Sequence, residues 1–237
     1  LEREDAQPAQ VTRLVHGTTV ATNTVLTRTG ARVGLLTTRG FRDVLAIAHQ
    51  ARPSLYDNRV HRVPPLIPDE LIVDIDERLA ADGTVVSFLN AYVDPRHEQE
   101  AVAHLREQQV APVVIAATDI TAEMREYDRT STAAINAYVQ PKVSGYMGRL
   151  AAGIEEMGIG SRLWIMQSNG GLLNPETAAT HSARTVLSGL AGGVVGAGNW
   201  ARHLGLDKVV SFDIGGTSTD IALIRDGEPD ETTAGEI

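Results

Sequence analysis

The chain has 237 residues, 43% of them hydrophobic, which predicts one large or two ordinary folded domains and excludes a disordered chain. Its formal net charge of -9 argues against nucleic acid or an anionic membrane as a partner. The sequence has no cysteine, which excludes disulfides and thiolate chemistry, and it lacks a long apolar run and a signal-peptide pattern, so we predict a cytoplasmic protein.

Apolar periodicity predicts alternating strands and helices, the pattern of an α/β protein. The predicted strands are residues 11–15, 33–37, 72–79, 85–89, 113–117, 163–167, 185–187, 209–213 and 221–224. The predicted helices are residues 20–29, 40–49, 95–108, 133–157, 175–179 and 192–203. Pro141 is expected to kink or interrupt the fourth helix. The strand–helix–strand order of residues 11–37 favours a parallel pair of the first two strands.

A His-Gly-Thr-Thr string at residues 16–19 follows the first predicted strand. Parallel strands place ligands just past their carboxyl ends, so this string is a candidate binding segment. A histidine paired within the core is the alternative for His16. Further along, a helix rich in small residues follows Ser188 and Gly189, and the N-terminus of this helix would favour an anion.

The strongest signal is a glycine-rich hairpin near the end of the chain. Residues 209–224 form an apolar run, a Gly-Gly turn and a second apolar run, and Asp226-Gly227 marks the next turn. Successive N–H groups in a glycine turn form a concavity that suits a phosphate. Three hydroxyl residues add donors, and Asp213 at the strand end is placed to hold Mg²⁺ through water. An ordinary hairpin is the alternative, but it does not explain two aspartates that bracket three hydroxyls.

Two other kinds of phosphate loop do not fit the sequence. No G-x-x-x-x-G-K-[ST] string occurs, and residues 221–224 continue as a strand rather than opening the helix of a dinucleotide fingerprint. Phosphate bound at a strand–turn–strand hairpin is typical of the actin, sugar-kinase and heat-shock-chaperone superfamily, which residues 213–220 resemble. That resemblance implies a ribonuclease H-like α/β ATPase fold, here incomplete at both ends.

Four strings in order resemble the hydantoinase A/oxoprolinase family, and the resemblance covers almost the whole chain. The strings are residues 16–23, 125–132, 166–171 and 213–220. Family members include ATP-dependent 5-oxoprolinase, N-methylhydantoinase, lactam hydrolases, and acetone and acetophenone carboxylases. The resemblance implies that residues 1–117 are the remainder of the N-terminal hydantoinase/oxoprolinase region and that residues 118–237 begin the hydantoinase A domain.

The sequence departs from the family pattern in three ways. The family has an Asp-Gly-Gly-Thr-type phosphate loop before the His-Gly-Thr-Thr string and a further Gly-rich segment after residue 237, so we expect an internal piece of a longer protein. The family also carries an extra helix and strand between Val86 and Ser87. Leu190 stands where family members usually have proline.

The resemblance implies ATP-dependent hydrolysis of a cyclic amide (a hydantoin, 5-oxoproline or a lactam) through phosphorylation of the amide carbonyl. ATP-dependent ketone carboxylation and a non-catalytic ATP-responsive subunit are the alternatives. The implied cofactors are ATP and Mg²⁺ or Mn²⁺. The implied partners are the small cyclic amide or ketone, a hydantoinase B-like subunit or domain, and further copies in an oligomer.

The resemblance also implies roles for single residues. Asp213 would hold the metal, Asp220 would orient a water or hydroxyl, and His16 would face the transferred phosphate. The predicted nucleotide-binding residues are Thr18, Thr19, Ser168, Asn169, Gly170, Ser188, Gly189, Gly192, Gly193, Gly215, Gly216, Thr217, Ser218 and Thr219. Arg125, Tyr127 and Arg129 either recognise an anion or form an ion-pair cluster at a helix start. The remaining Asp and Glu residues are predicted to be surface charge.

Overall fold

The computed structural model describes residue 8 and residues 11–49, 63–74, 83–214 and 219–230, and the statements below concern these residues. The chain divides into two compact units, one of residues 1–28 with 142–237 and the other of residues 29–141. The predicted division at residue 118 concerns sequence regions and stays a prediction. Over the described residues, no helix combines the length and apolarity that a membrane crossing needs.

Strands and helices alternate along the described chain, as expected for an α/β protein. The strands are β1 Leu14–His16, β2 Val33–Thr37, β3 Ile72–Asp74, β4 Gly83–Ser87, β5 Val113–Ala116, β6 Leu163–Met166, β7 Leu172–Leu173, β8 Lys208–Ile214, β9 Thr219–Arg225 and β10 Glu228–Pro229. The α-helices are α1 Val20–Leu26, α2 Val44–Ile47, α3 Arg96–Glu107, α4 Ala117–Ile120, α5 Glu126–Glu156, α6 Pro175–Thr180 and α7 Ser188–Leu204. Short 3-10 helices occupy Asp69–Leu71 and Ser182–Thr185.

The unit of residues 29–141 is built on a parallel sheet with the strand order β3-β2-β4-β5. Every residue of β4 is buried, including the polar Thr84 and Ser87, as expected for a central strand covered on both faces. Helix α3 packs through Val102 against Val86 and Val114. Strand β4 continues without a break through Val86 and Ser87, the point at which the family is expected to carry extra residues.

The unit of residues 1–28 and 142–237 contains two three-stranded sheets, β1-β6-β7 and β10-β9-β8. In the first sheet β1 and β6 are parallel, and β7 returns antiparallel to β6. The second sheet is antiparallel throughout. Helix α7 packs against β6 and against all three strands of the second sheet. This helix therefore joins the two sheets of the unit.

The predicted hairpin is confirmed as strands β8 and β9, which pair antiparallel in a single register. The following turn is also confirmed, because Asp226 and Gly227 both have positive φ, 53° and 80°, as a type I′ turn requires. The side chains of one hairpin face alternate with those of the other. One face carries Ile224, which is 1% exposed. The other carries the exposed apolar side chains Val210, Phe212, Ile214, Ile221 and Leu223.

Two predictions about strands are wrong. Strand β1 does not pair with β2 but with β6, because β1 and β2 belong to different compact units. Residues 185–187 are not a strand: the 3-10 helix Ser182–Thr185 occupies the start of this stretch, and Leu187 has a left-handed φ of 60°. The hydroxyls of Ser182 and Thr185 bond to nearby backbone carbonyls, which gives the chain an alternative to sheet pairing.

Helix α5 begins earlier than predicted, and Pro141 does not interrupt it. It begins at Glu126 rather than at residue 133. Contacts with β4 hold the early turns, since the hydroxyls of Ser87 and Thr130 lie 2.6 Å apart and Arg129 donates to the carbonyl of Phe88 at 2.9 Å. Tertiary contacts therefore extend the helix toward its N-terminus.

Glu98 is not surface charge, contrary to the prediction for the remaining acidic residues. Its side chain on α3 is 0% exposed. One carboxylate oxygen accepts from the backbone N–H of Phe88 at 2.8 Å. The other accepts from the N–H and hydroxyl of Thr118 at 3.0 and 2.7 Å. Glu98 thus ties the segment that follows β4 to α4, which follows β5, and its buried charge is satisfied by three donors.

Candidate functional site

The carboxyl ends of β1 and β6 lie at the same edge of their sheet because the two strands are parallel. His16 is the last residue of β1 and pairs with Ile165 of β6. The segment Gly17–Thr19 follows β1, and the segment Gln167–Gly171 follows β6. The first and third strings of the sequence pattern therefore meet at one edge, where α/β sheets commonly bind ligands.

A reciprocal pair of hydrogen bonds joins the segment after β1 to the start of α7. The buried Ser188 hydroxyl accepts from the N–H of Thr18 at 3.2 Å and donates to the carbonyl of Thr18 at 3.0 Å. Glycines allow this close approach: a Cβ on Gly17 would lie 3.3 Å from the Ser188 carbonyl oxygen, and one on Gly189 would lie 3.2 Å from the Thr19 methyl. Two predicted segments are thus locked together.

The turn that follows β6 also lies against α7. Gly170 has a φ of 79°, and a Cβ there would lie 3.3 Å from a methyl of Val195. The turn is held by its own bonds, since the N–H of Gly171 donates to the side-chain oxygen of Asn169 at 3.0 Å and the N–H of Ser168 donates to the Arg184 carbonyl at 2.8 Å. Ser168 and Asn169 remain exposed at this edge.

Helix α7 begins abruptly at this same edge. The residue before it, Leu187, is held in its left-handed conformation by a 2.7 Å hydrogen bond from its N–H to the Thr22 hydroxyl. The first N–H groups of an α-helix have no partner within the helix, and a 17-residue helix has a positive dipole end there. Gly193 is exposed, and nothing lies within 4 Å of a Cβ added to it. The start of α7 therefore suits an anion.

Asp213 and Asp220 are direct cross-strand partners at the closing end of the hairpin, with Ile214 and Thr219 paired beyond them. Directly opposed residues of an antiparallel pair have their side chains on the same face, and two like charges in that position repel. A cation between the carboxylates would remove this repulsion. The loop residues Gly215, Gly216, Thr217 and Ser218, predicted to hold phosphate, lie outside the described residues.

Carboxylates alone do not complete a metal site in this hairpin. The part of the chain that the structure describes contains no group of three or more His, Cys, Asp or Glu side chains arranged to hold a metal. Mg²⁺ keeps several waters and is commonly bound by one or two carboxylates together with phosphate oxygens. The pair Asp213 and Asp220 fits that mode of binding better than an all-protein cage.

The hairpin that carries this aspartate pair packs against α7. A Cβ on Gly198 would lie 2.7 Å from the Gly227 carbonyl oxygen, so the open end of the hairpin lies beside the second half of α7. Helix α7 also contacts β8 and β9, so the hairpin that carries the aspartate pair lies against this helix.

His16 has a partner that the sequence pattern did not indicate. The hydroxyl of Tyr146, on α5, lies 2.7 Å from Nε2 of His16. Burial lowers the pKa of His16 from its usual value, which favours the neutral imidazole at pH 7. A neutral imidazole has one N–H donor and one acceptor nitrogen, so His16 can either accept or donate a proton at the edge of the sheet. No local signal marks Tyr146, because the contact joins residues 130 positions apart.

Arg129 has a structural role at the start of α5 rather than a role in anion recognition. Its guanidinium is 0% exposed and donates to the backbone carbonyls of Glu123 at 2.6 Å and Phe88 at 2.9 Å. Its weaker contact with Glu126 spans 3.5 Å. Tyr127 packs edge-on against His49, with ring centroids 4.7 Å apart. Arg129 and Tyr127 thus organise the start of α5.

Two family models together match nearly the whole chain. The model described as hydantoinase/oxoprolinase N-terminal region matches residues 1–119, and the one described as hydantoinase/oxoprolinase matches residues 129–237. The caprolactamase subunit alpha of Pseudomonas jessenii is 32% identical over 90% of this chain and 34% of its own length. The 5-oxoprolinase 1 of Arabidopsis thaliana is 30% identical over 87% of this chain and 19% of its own length.

Two solved structures share the fold. One is a nucleotide-free structure of acetone carboxylase, an enzyme of ATP-dependent acetone carboxylation. It has a TM-score of 0.80 and 26% sequence identity, and the match covers 94% of this chain and 37% of that chain. The ATP-dependent caprolactamase of Pseudomonas jessenii has a TM-score of 0.73 at 32% identity over 91% of this chain and 35% of that chain. These similarities confirm the predicted actin-like ATPase fold class. The chain spans about a third or less of each relative.

Proposed function

The chain belongs to the hydantoinase/oxoprolinase family, and we propose that it forms part of the ATP site of an enzyme that opens a cyclic amide. The substrate class is a hydantoin, 5-oxoproline or a lactam. Similarity to an ATP-dependent caprolactamase and to a 5-oxoprolinase supports this class, since both names describe enzymes of cyclic amides.

One observation carries the ATP site: the opposed carboxylates of Asp213 and Asp220, at the end of a hairpin whose loop sequence is Gly-Gly-Thr-Ser. In the proposal, Asp213 holds Mg²⁺ or Mn²⁺ through water, and Asp220 orients a water or hydroxyl. The loop residues Gly215, Gly216, Thr217 and Ser218, with Thr219, hold phosphate through N–H and hydroxyl donors. Neutralising the charge of a transferred phosphoryl group is the main task of such a site.

The edge of β1 and β6 supplies the other side of the proposed pocket. The start of α7, at Ser188, Gly189, Gly192 and Gly193, forms a wall whose N–H groups favour phosphate. The proposed lining also includes residues of the two segments that follow β1 and β6. These are Thr18, Thr19, Ser168, Asn169 and Gly170. His16 faces the transferred phosphate, where its neutral imidazole can donate a hydrogen bond to a phosphate oxygen or accept a proton.

The chemistry explains why ATP is used. An unstrained amide resists hydrolysis because resonance protects its carbonyl and its nitrogen leaves poorly. Transfer of a phosphoryl group from ATP to the carbonyl oxygen would give a carbon that water attacks. The residues named above then have to hold the two reactants in line, screen their charges and exclude water until the transfer is complete.

The proposal is tested with the full-length protein and its partner. We expect ATP consumption that depends on one of 5-oxoproline, a hydantoin or a lactam, with release of the ring-opened acid in equal amount. Asp213→Ala should abolish this consumption while the far-UV circular dichroism is unchanged. Substrate-independent or absent ATP turnover would contradict the proposal and favour a non-catalytic, ATP-responsive subunit.

Ketone carboxylation is a second candidate, favoured by the TM-score of 0.80 with acetone carboxylase. The same transfer would activate an enolate or bicarbonate instead of an amide. ATP turnover only with a ketone and bicarbonate together would select this candidate. The caprolactamase and carboxylase relatives are named as subunits, so we also propose a hydantoinase B-like partner, as a subunit or a fused domain, and an oligomer.

A further inference from the structure

Tyr146 and His16 form a contact that the proposed roles above do not use. Tyr146 lies on α5 and His16 ends β1, and their rings are 5.7 Å apart between centroids with a tilt of 34°. The phenol oxygen is 2.7 Å from Nε2, a normal hydrogen-bond distance for either donor. The two side chains are both half-buried, so the contact is partly shielded from water.

The position of the hydrogen in this contact decides which ring nitrogen of His16 can donate. A phenol is more acidic than a neutral imidazole, and an imidazole nitrogen is the better acceptor, so the chemistry of the two groups favours donation from the tyrosine O–H to Nε2. A neutral imidazole then carries its own hydrogen on Nδ1. Burial, the cause that lowers the pKa of His16, keeps the ring neutral.

We propose that Tyr146 is a positioning residue that holds His16 as its neutral Nδ1–H tautomer, so that Nδ1–H donates to an anionic phosphoryl oxygen at the edge of β1. The role of His16 in this statement rests on the proposed function. The tautomer of His16 does not depend on that function, because it rests on the 2.7 Å contact and on the relative acidity of phenol and imidazole. Tyr146 would act only through His16 and would not touch the reacting atoms.

The surroundings of His16 make Tyr146 the group to test. Across the sheet, the residue paired with His16 is the apolar Ile165. From α5, the facing titratable group is Tyr146 itself. The shift in the pKa of His16 is caused by burial rather than by a charged neighbour. Changes in that pKa after substitution of Tyr146 therefore report mainly on the hydrogen bond.

The first test measures the pKa of His16 in the full-length protein by exchange of its C2 hydrogen for deuterium, followed by mass spectrometry of peptides. A hydrogen bond donated to the neutral ring opposes protonation. Tyr146→Phe should therefore raise the pKa of His16 by about half a unit to one unit. A lowered pKa would mean that the ring donates to the phenol, and an unchanged pKa would mean that the contact does not favour the neutral ring; either result would overturn the proposal.

A matched control is available on the same helix. Tyr138 is buried on α5, and its ring packs against Gly30, where an added Cβ would lie 2.3 Å from the tyrosine ring. Tyr138→Phe removes a hydroxyl from the same helix without touching His16. It should leave the pKa of His16 unchanged. A shift equal to that of Tyr146→Phe would assign the effect to the helix rather than to the hydrogen bond, and would also overturn the proposal.

The second test asks which ring nitrogen functions. The amide N–H of asparagine can stand in for Nδ1–H, and that of glutamine for Nε2–H. In the full-length enzyme, His16→Asn should keep roughly ten-fold more substrate-dependent ATP turnover than His16→Gln. The opposite order would contradict the proposal. If the unchanged enzyme shows no such turnover, the proposed function fails, while the pKa test of the tautomer still decides this inference.

Discussion

Glu98→Gln is a sharp test of how the segments after β4 and β5 are held. The carboxylate accepts from the N–H of Phe88 on one oxygen and from the N–H and hydroxyl of Thr118 on the other. A glutamine has one oxygen and one NH₂ group. Whichever way the amide turns, the NH₂ faces a backbone N–H, and one buried donor is left without an acceptor.

The magnitude follows from this count. An unsatisfied buried donor costs about 1–3 kcal/mol, and the remaining bonds weaken because they are no longer made to a charge. Removal of the buried charge recovers part of this loss. The net cost to these native segments is about 2–3 kcal/mol, which corresponds to about 30- to 150-fold faster opening.

Amide hydrogen exchange measures this opening in the full-length protein, at the peptides that contain Phe88 and Thr118. Glu100→Gln, an exposed position on the same helix, is the matched control and should leave both peptides unchanged. Equal protection of these amides in Glu98→Gln and in the unchanged protein would refute the account, because it would show that the carboxylate does not hold the two segments.

Two further predictions concern the backbone near the candidate site. Thr22→Val on α1 removes the acceptor of the Leu187 N–H, which precedes α7, and should destabilise the start of α7 by about 1–3 kcal/mol, seen as faster amide exchange. Thr27→Val, at the exposed position just after α1, is the control and should change this exchange little. Gly227→Ala should destabilise the turn between β9 and β10, because φ is 80° and the new Cβ would lie 2.3 Å from Arg202. Gly196→Ala meets no neighbour within 4 Å and should stabilise α7 by about 0.5–1 kcal/mol. Thermal unfolding that ranks the two glycine variants in the opposite order would contradict this.

Features encoded by neighbouring residues could be predicted from the sequence. The hairpin of β8 and β9 follows from two apolar runs around a glycine turn, and alternation fixes which residues share a face. The turn at Asp226-Gly227 follows from two residue types that tolerate positive φ. The place of the first string just past the carboxyl end of a strand was also predictable, because the string follows an apolar run.

Features that depend on distant partners could not be predicted. Strand β1 has several possible neighbours, and only the assembled unit selects β6. The left-handed Leu187 is stabilised by a threonine 165 positions away, so residues 185–187 look like a strand when taken alone. The contact of Tyr146 with His16 and the burial of Glu98 are likewise set by packing, since the sequence around Tyr146 and around Glu98 has no distinctive pattern.

The proposed ATP site depends on the aspartate pair of the hairpin. Its most direct test is the rate of ATP hydrolysis by the full-length enzyme with its substrate when Asp213 is changed to Asn. Asp207→Asn, at an exposed position just before β8, is the control. We expect a loss of about 100-fold or more for Asp213→Asn and little change for Asp207→Asn, since loss of charge stabilisation at a phosphoryl group has an effect of this size. Equal rates in the two variants would contradict the assignment of the hairpin as the ATP site.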